Sequence, residues 1–455
     1  MFITDSSITT ILLIPCNKKQ FKESIKQYPK IIKNWIKQSG FKAQNGEFCL
    51  IPNKKGEIAQ VLFGVGKDIK YRWALATLAE KLPQGNYKLQ ADWTNEQQQQ
   101  AAIGWGLACY QFERYKTAER IAPCLLLEKK SRRIKAFVDA FKLVRDLVNT
   151  PAADMMPQDL ATTAKKLSKT YNAKFKQIKG DNLLRKNYPC IHAVGRASKH
   201  EPRLISFKWG NKAHPKVSLI GKGICFDTGG LDLKPAQFMR LMKKDMGGAA
   251  HVLGLAQLIM ALELPICMQV LLSAAENVIS GDAFRPGDVL QTRAGKTVEI
   301  DNTDSEGRLV LCDALTKAGE GNPDLIIDFA TLTGAARVAV GTEIPVFFTN
   351  NDALGAEINK ASAQTDELVW QLPMHKPYRS YLDSDIADLL NSSPQGYGGA
   401  ITAALYLNEF VDENTQWAHF DIMAWNNRHR PGRPKGGEAM GLLTVFQLLE
   451  NRYVK

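Results

Sequence analysis

The sequence lacks the patterns by which several classes of enzyme are usually identified. Its 455 residues include seven histidines, and none of them belongs to an HExxH zinc motif. Its eight cysteines include no CxxC pair, which argues against a thiolate zinc site or a disulfide framework and favours free thiols in a reducing compartment. No uninterrupted apolar run reaches the roughly 18 residues of a membrane helix, and the chain has no repeats or low-complexity tracts.

The N-terminal segment has little that is typical of a targeting signal. MFITDSSITTILLIP has no basic stretch ahead of its short apolar run, so the pattern favours a first strand over a secretory signal. Together with the dispersed cysteines, this predicts a cytoplasmic protein that does not associate with membranes.

Acidic residues are scarce in the first third of the chain. Residues 1–150 carry 25 basic and 13 acidic side chains, whereas residues 151–455 carry 34 and 33, so the net charge of +13 lies almost entirely before residue 150. Nothing there matches a helix-turn-helix, zinc-finger or RNA-binding signature. The pattern favours a solvated, lysine-rich surface and leaves nucleic-acid binding as the alternative.

Strand-like and helix-like segments alternate along the whole chain, which is typical of α/β folds. Residues 131–148 form a strongly amphipathic pattern with Ser131 as N-cap, and prolines follow it, so we expect a connecting helix. We predict a smaller N-terminal α/β domain over 1–130, a connecting helix over 131–149, and a C-terminal α/β/α domain with a mixed central sheet over 150–455. The expected strands are 9–15, 48–52, 58–64, 121–127, 204–209 and 217–220, with buried strands in ICMQVLLSAA and LIIDFATLTG; the expected helices are 72–82, 96–115 and an interrupted one over 236–262.

Two segments of the second domain concentrate charged residues among glycines. The segment at 220–250, IGKGICFDTGGLDLKPAQFMRLMKKDMGGAA, places Lys222 and Asp227 in a predicted loop after a strand that ends near residue 220, followed by Lys234 and Asp245. Loops beyond strand ends are where sites form in open α/β sheets. The chemistry of this domain is therefore expected in that loop.

The second segment, EIDNTDSEGRLVLCDAL at 299–315, carries Asp304, Glu306 and Arg308 at alternate positions. In an extended conformation these three side chains would point to one side. An isolated DxExR pattern is usually a solvated loop. Here, however, the two segments together supply four carboxylates beside strongly apolar sequence, where they would repel one another and need cations. Divalent metal ions are the obvious candidates, since a pair of them can share a carboxylate.

Both segments resemble the signature segments of the leucyl aminopeptidase (cytosol aminopeptidase) family, metallopeptidase family M17. The family's lysine–aspartate segment matches residues 222–227, and its NTDAEGRL signature is present as NTDSEGRL at 302–309. Weaker segments agree, and the resemblance is good over about 150–455 but only general over the first 150 residues. These weaker segments are NTPAADMMP, DFATLTGA, GGAITAALYL and HFDIMAW.

The resemblance implies two divalent metal ions, Mn²⁺ or Zn²⁺ with Mg²⁺ and Co²⁺ as further candidates. It implies that one ion is held by Asp227, Asp304 and Glu306 and the other by Lys222, Asp227, Asp245 and Glu306. Asp227 and Glu306 would bridge the two ions. A lysine ligand has to be neutral, because an ammonium group has no lone pair, and nearby dications would lower its pKa.

The remaining roles are also implied by the resemblance. Lys234 would stabilise the oxyanion, and Arg308 would hold a bicarbonate ion that shuttles protons. The pocket for the N-terminal side chain maps to Met242, Thr331 and Gly334, with Met423 near its floor. The stretch IMAWNNRHRPGRPKGG departs from the best-known family members, so the pocket is expected to differ there.

The activity implied is removal of N-terminal residues, leucine or other apolar ones, from peptides with a free amine. The resemblance also implies a homohexamer. The alternative function is an additional DNA-binding or architectural role through the basic N-terminal part. An inactive scaffold is disfavoured by the complete set of seven charged residues.

Overall fold

Two sheets organise the chain in this computed structural model, which describes residues 1–118 and 120–454. The chain divides into one unit of Met1–Lys142 with Arg428–Lys435 and a second of Leu143–Asn427 with the chain from Gly436 onward. The domain limits predicted from the sequence remain a prediction. The sequence did not indicate that residues 428–435 belong with the first unit.

The first unit is built on a six-stranded sheet in the order β1-β6-β5-β2-β4-β3, parallel except for β3. Apolar side chains of β2 to β4 pack under an amphipathic helix, α2, which buries Ile36. The elements are β1 Phe2–Ile3, β2 Ile11–Cys16, α1 Lys18–Ser24, α2 Lys30–Gln38, β3 Phe48–Pro52, β4 Ile58–Gly64, α3 Tyr71–Ala74, α4 Ala76–Lys81, β5 Asn86–Leu89, α5 Asn95–Ala108 and β6 Cys124–Leu126.

A long helix, α6 (Arg132–Asn149), begins in the first unit and ends in the second. Ser131 Oγ accepts a hydrogen bond from the Ile134 N–H, as predicted for its N-cap. The helix expected over 96–115 is shorter than predicted, because α5 ends at Ala108. No proline or glycine follows Ala108 directly to indicate the end of the helix. The prediction relied on the apolar pattern alone and therefore placed the end too late.

The second unit is built on an eight-stranded mixed sheet in the order β15-β14-β17-β13-β9-β10-β8-β7. Its four central strands are parallel, and β13 is buried along its whole length, as expected for a strand covered on both faces. The elements of this sheet are β7 Lys174–Lys179, β8 Arg203–Trp209, β9 Lys216–Asp227, β10 Cys267–Asn277, β13 Leu325–Ala330, β14 Val346–Thr349, β15 Trp370–Gln371 and β17 Gln416–Asp421.

Helices and two minor sheets complete the second unit, confirming the predicted α/β class with a mixed central sheet. The helices are α7 Pro157–Thr170, α8 Asn182–Arg185, α9 Pro189–Gly195, α10 Ala236–Met239, α11 Gly247–Leu262, α12 Glu306–Gly319, α13 Gly334–Val340, α14 Asp352–Thr365, α15 Gly399–Asn408 and α16 Leu442–Tyr453. The minor strands are β11 Val289–Gln291, β12 Thr297–Glu299, β16 Leu389–Leu390, β18 Trp425–Asn426 and β19 Gly436–Gly437. The 3₁₀ turns of this unit are Ala152–Asp154, Met242–Met246, Thr303–Ser305 and Lys376–Leu382, and a further one, Ile25–Gln27, belongs to the first unit.

One helical stretch, Met242–Leu262, is long and apolar enough by composition to cross a membrane. However, 89% of its most apolar window is buried inside the protein, as in the core helix of a globular domain. The eight cysteines are free, and six of them are buried.

Two local predictions were wrong. The strand expected to end near residue 220 continues to Asp227, so Lys222 lies within β9 rather than after it. The glycines of β9 do not form a loop but allow the strand to pack closely against α11. A β-carbon on Gly221 would lie 2.6 Å from the Ala249 Cα near the start of that helix. Asp304, Glu306 and Arg308 are not extended either, because a 3₁₀ turn at Thr303–Ser305 leads directly into α12.

Candidate active site

The carboxyl ends of the four parallel strands bring polar side chains to one edge of the large sheet. β9 ends at Asp227, β10 at Asn277 and β17 at Asp421, and Thr331 follows β13. Parallel strands end at the same edge, so these residues, far apart in sequence, become neighbours.

Lys222 lies between two carboxylates in the interior. Its Nζ is 2.7 Å from Asp245 Oδ2 and 2.8 Å from Glu306 Oε1, and all three side chains are at most 3% exposed. Asp245 comes from the 3₁₀ turn before α11, and Glu306 is the first residue of α12, where a helix N-terminus favours an acidic side chain. Three separate segments of the second unit therefore converge on one ammonium group.

Lys234 joins a second pair of carboxylates beside the first. Its Nζ is 2.9 Å from Asp227 Oδ2 and also contacts Asp304 Oδ1. After β9 ends at Asp227, the chain turns towards Lys234. Gly229 in this turn has φ +90°, a conformation that favours glycine. The Lys234 N–H then donates to the Thr228 carbonyl at 2.9 Å, which fixes this return.

Neutral neighbours orient the acidic side chains. Asp227 Oδ1 accepts hydrogen bonds from Asn277 Nδ2 at 2.9 Å and from the Gly229 N–H at 2.8 Å. Asp245 Oδ1 accepts from Thr331 Oγ1 at 2.7 Å. These contacts leave the other oxygen of each carboxylate directed at a lysine.

Burial and neighbouring carboxylates raise the pKa of two acidic groups of the site. For Glu306, burial and the nearby Asp227 hold the pKa well above its usual range; for Asp304, burial and Asp227 raise the pKa to about 6. Burial works against the charge of Lys222, but Asp245, Glu306 and Asp227 outweigh it and raise the pKa of that ammonium. Four carboxylates are therefore crowded around the two lysines that contact them.

The donor set fits divalent metal ions. Asp227, Asp245 and Glu306 each offer an oxygen, and these oxygens lie within 4.8 Å of one another. Glu306 Oε1 faces the Lys222 ammonium at 2.8 Å, but Oε2 of this buried side chain has no hydrogen-bond partner among residues 1–118 and 120–454. A buried, unsatisfied carboxylate is costly unless a cation binds it, and oxygen-rich sites suit Mg²⁺ and Mn²⁺ while Zn²⁺ also accepts carboxylates.

Arg308 lies in the first turn of α12 and is fixed by a loop that the sequence did not single out. Its Nη1 donates to the Asn391 carbonyl at 2.6 Å. The Asn391 side chain in turn accepts from the N–H groups of Asp301 and Asn302. Burial lowers the pKa of Arg308 to about 10 despite the nearby Tyr406 and Glu306.

A cavity of about 240 Å³ opens over these groups. Met242, Thr331 and Gly334 line it, whereas Met423 is not among the lining residues. The predicted residues that line it are Lys222, Asp227, Lys234, Met242, Asp245, Asp304, Arg308, Thr331 and Gly334. Glu306 does not line the cavity but is paired with Lys222, which does.

Sequence reasoning missed two cations on the wall of this cavity, Lys244 and Arg337. Lys244 is 1% exposed, and burial and the charge of Arg337 lower its pKa to about 7. It also missed Asn277 and Asn391. Asn277 was detectable as the polar residue that ends a buried strand, whereas nothing local distinguishes Asn391.

Two buried histidines of the second unit make contacts within the fold. His419 is buried on β17, with Nδ1 2.6 Å from Asp328 Oδ1. His251, on α11, contacts the Gly247 carbonyl through Nδ1 and accepts from the Met440 N–H through Nε2. Neither side chain reaches the cavity.

Comparison with known protein families shows to which family the chain belongs. The sequence profile of the cytosol aminopeptidase family, catalytic domain, matches residues 142–446, and that of the M17 aminopeptidase N-terminal domain matches residues 12–127. The chain belongs to the cytosol aminopeptidase family, M17. The sequence analysis found only a general resemblance to the family in the first 150 residues. The match to the family's own N-terminal domain shows that the similarity there is more specific.

Relatives of this M17 chain are similar to it over most of its length. A probable cytosol aminopeptidase of Aquifex aeolicus is 36% identical over 435 residues, 90% of this chain and 88% of that protein. The crystal structure of the cytosol aminopeptidase of Coxiella burnetii has a TM-score of 0.96 at 46% identity and covers 99% of both chains. The bottromycin maturation enzyme BotP in complex with Mn has a TM-score of 0.89 at 31% identity, with 98% and 100% covered. Membership of this family makes the chain a metal-dependent aminopeptidase, a hydrolase of peptide bonds.

Proposed function

We propose that this M17 chain removes N-terminal residues from peptides by means of two divalent metal ions bound between Asp227, Asp245, Asp304 and Glu306. The observation that carries the proposal is the convergence of Asp227, Asp245 and Glu306, whose buried Oε2 has no hydrogen-bond partner among the described residues. The manganese complex of the related BotP supports Mn²⁺ as one candidate ion.

Two bound ions would lower the pKa of a shared water and polarise the scissile carbonyl. Asp227 and Glu306 would be the residues shared by both ions, with Asp304 completing one set of ligands and Lys222 and Asp245 the other. Lys222 would give up its proton to serve as a ligand. Its present contacts, 2.7 and 2.8 Å from Asp245 and Glu306, put its nitrogen beside the carboxylates with which it would share an ion.

Lys234 would remain charged and stabilise the oxyanion that develops on the scissile carbonyl. It is the less buried of the two site lysines, at 13% side-chain exposure, and it lines the cavity where substrate would lie. A preorganised cation at that point strengthens its interaction as the charge develops, which lowers the barrier.

The substrate's free α-amine would be anchored by Asp245 and one ion. Asp245 is held in place by Thr331, so its orientation does not depend on the substrate. An internal peptide nitrogen has no comparable lone pair, and this difference would restrict cleavage to the first residue of a peptide.

Arg308 would hold a bicarbonate ion that carries protons between the water and the leaving amine. No histidine lies in either signature segment to take this role. The Asn391 carbonyl fixes one end of the guanidinium group, and Arg308 lines the cavity, which leaves it suited to an anionic partner.

The N-terminal side chain of the substrate would lie against Met242, Thr331 and Gly334. Met242 and Leu332 give this part of the cavity an apolar surface, which supports acceptance of leucine and other apolar residues. Met423 would shape the neighbourhood of the pocket without lining it.

The proposed activity is tested with leucine p-nitroanilide and metal-depleted protein to which Mn²⁺, Zn²⁺, Co²⁺ or Mg²⁺ is added in turn. Hydrolysis should depend on one of these ions and should be lost on chelation. Absence of hydrolysis with every ion would contradict the proposal. Light scattering of the same preparation tests the expected homohexamer, and fractionation of cells tests the expected cytoplasmic location.

A second role, binding of DNA by the basic first unit, is supported by one observation. A cavity of about 790 Å³ in that unit is lined by five basic side chains, Lys88, Lys129, Lys130, Arg132 and Arg133. Counterion release makes nucleic-acid affinity fall steeply with salt. A gel-shift titration in rising salt tests the role, and an unshifted probe at low salt would exclude it.

A further inference from the structure

Two cations on the wall of the active-site cavity differ from the rest. Lys222, Lys234 and Arg308 are all engaged with carboxylates or a carbonyl. In the described part of the chain, by contrast, Lys244 Nζ and Arg337 Nη1 are buried atoms without a hydrogen-bond partner. Lys244 belongs to the 3₁₀ turn Met242–Met246, and Arg337 belongs to α13.

The acidic groups nearest to Lys244 are already occupied. Asp421 accepts hydrogen bonds from the Leu332 and Thr333 N–H groups and from Thr333 Oγ1. Asp245 is shared between Thr331 and Lys222. Because buried nitrogens of charged side chains rarely lack partners in proteins, Lys244 Nζ and Arg337 Nη1 on one cavity wall indicate a missing anion.

The position of the two cations indicates which part of a substrate they would meet. Lys244 immediately precedes Asp245, the residue proposed to anchor the α-amine, and lies two residues after Met242 on the same turn. Arg337 lies one helical turn after Gly334. Both neighbours belong to the pocket proposed for the N-terminal side chain. Met242, Leu332 and Ala335 add apolar surface to the same cavity.

We propose that Lys244 and Arg337 form a carboxylate-binding subsite that selects peptides with an acidic N-terminal residue, glutamate or aspartate. The apolar wall would contact the methylene groups of such a side chain, and the two cations would bind its carboxylate with charge-assisted hydrogen bonds. This inference rests on the aminopeptidase function proposed above. It does not exclude leucine, whose side chain would contact the same apolar wall.

The test compares glutamyl and glutaminyl p-nitroanilides, which have the same shape and differ in charge. The metal-loaded wild-type protein should show a kcat/KM at least tenfold higher for the glutamyl substrate, the scale of one charge-assisted hydrogen bond. The variants Lys244→Met and Arg337→Met should each bring this ratio towards one. Because both substrates are measured on each variant, a general loss of activity cancels from the ratio.

Lys243→Met is the matched control. Lys243 is the adjacent residue, but its Nζ donates to the Asn149 carbonyl at 2.6 Å and lies 5.3 Å from the Trp425 ring centroid, and it does not line the cavity. The glutamyl-to-glutaminyl ratio should be unchanged in this variant. A ratio that falls equally in all three variants would show only a general electrostatic effect and would overturn the subsite.

Other outcomes separate the two proposals. Equal rates for the glutamyl and glutaminyl substrates in the wild-type protein, with leucine p-nitroanilide hydrolysed normally, would overturn the subsite and leave the aminopeptidase function intact. No hydrolysis of any substrate would contradict the function itself. These wild-type results need no variant to fold. Calorimetry with free glutamate and glutamine gives a second readout, and tighter glutamate binding is expected.

A substrate's C-terminal carboxylate is the other source of the same chemistry. Leu-Gly and Leu-Gly amide distinguish it, because they differ only at that end. The proposal expects similar kcat/KM values for the two, in the wild-type protein and in Lys244→Met. A tenfold preference for free Leu-Gly that disappears in Lys244→Met would overturn the assignment to the N-terminal side chain.

Discussion

Gly307 provides the space that the Lys222 ammonium group occupies. A β-carbon on Gly307 would lie 2.9 Å from Lys222 Nζ and 2.8 Å from its Cε, closer than carbon atoms normally approach. Gly307 follows Glu306, the carboxylate with which Lys222 pairs, at the start of α12. The glycine of the NTDSEGRL segment therefore serves the geometry of a lysine 85 residues earlier in the chain.

Gly307→Ala should lower activity by displacing the Lys222 side chain from between Asp245 and Glu306. A loss of kcat of at least about tenfold is expected, since small misplacements in an active site have large effects on rate. The measurement is kcat with leucine p-nitroanilide at saturating metal.

Gly319→Ala is the matched control on the same helix. A β-carbon there would meet no atom within 4 Å, and alanine in a helix is about 0.5–1 kcal/mol more favourable than glycine. This variant should keep wild-type kcat and be equally or slightly more stable. An equally active Gly307→Ala variant would show that the position of Lys222 does not matter for catalysis.

Lys234→Ala should lower kcat by at least about 10²-fold, the scale of losing an oxyanion partner. Its bound metal should be retained, because the substitution removes a positive charge from between Asp227 and Asp304. Lys212→Ala, at an exposed position, serves as the control. An unchanged kcat in Lys234→Ala would remove the role proposed for this lysine.

N-terminally acetylated peptides should resist cleavage, whereas the same peptides with a free amine should be substrates. Acetylation removes the lone pair and the charge through which Asp245 and one ion would anchor the substrate. Mass spectrometry of a matched peptide pair after incubation checks this. Release of the acetylated first residue at a measurable rate would contradict the anchoring role.

The free energy of unfolding should fall between pH 6.5 and 4, in part because of His251. Its Nε2 accepts from the Met440 N–H and its Nδ1 faces the Gly247 carbonyl, so the folded protein needs the neutral ring with hydrogen on Nδ1. Burial lowers the pKa of His251 to about 4, from the ordinary 6.5. Below pH 6.5 the unfolded chain therefore binds a proton that the folded protein does not.

This difference corresponds to about 3 kcal/mol of stability, fully present above pH 6.5 and lost as the pH falls to 4. The His251→Gln variant should be less stable than the wild-type protein at pH 7.5. It should lose less free energy of unfolding than the wild-type protein as the pH falls from 6.5 to 4. Urea unfolding of both proteins at several pH values gives the difference, from which shared carboxylate effects cancel. Parallel curves for the two proteins would show that His251 does not titrate in this way.

The site residues within the two signature segments could be predicted from the sequence. The site residues that reach the cavity only through the tertiary fold could not. Lys222, Asp245 and Glu306 were identifiable because their neighbours form recognisable segments, and the structure brings them within 3 Å contacts. The conformation around them was predicted less well. Glycines at 221 and 223 were interpreted as loop residues, although they permit a strand to pack closely against α11 and β10.

Contacts over long separations explain the remaining omissions. Asn391 fixes Arg308 from 83 residues away, and no local pattern distinguishes this asparagine. Lys244 resembles Lys243 in sequence, yet one is buried without a hydrogen-bond partner among the described residues and the other is bonded to the Asn149 carbonyl. Such differences depend on which elements surround a side chain, and a single sequence does not show that.

Anomalous diffraction from crystals grown with Mn²⁺ tests the central claim most directly. The account predicts two manganese peaks in the second unit, each within bonding distance of oxygens from both Asp227 and Glu306, with Lys222 Nζ completing one set of ligands. A single peak, or two peaks of which Asp227 and Glu306 contact only one, would contradict it.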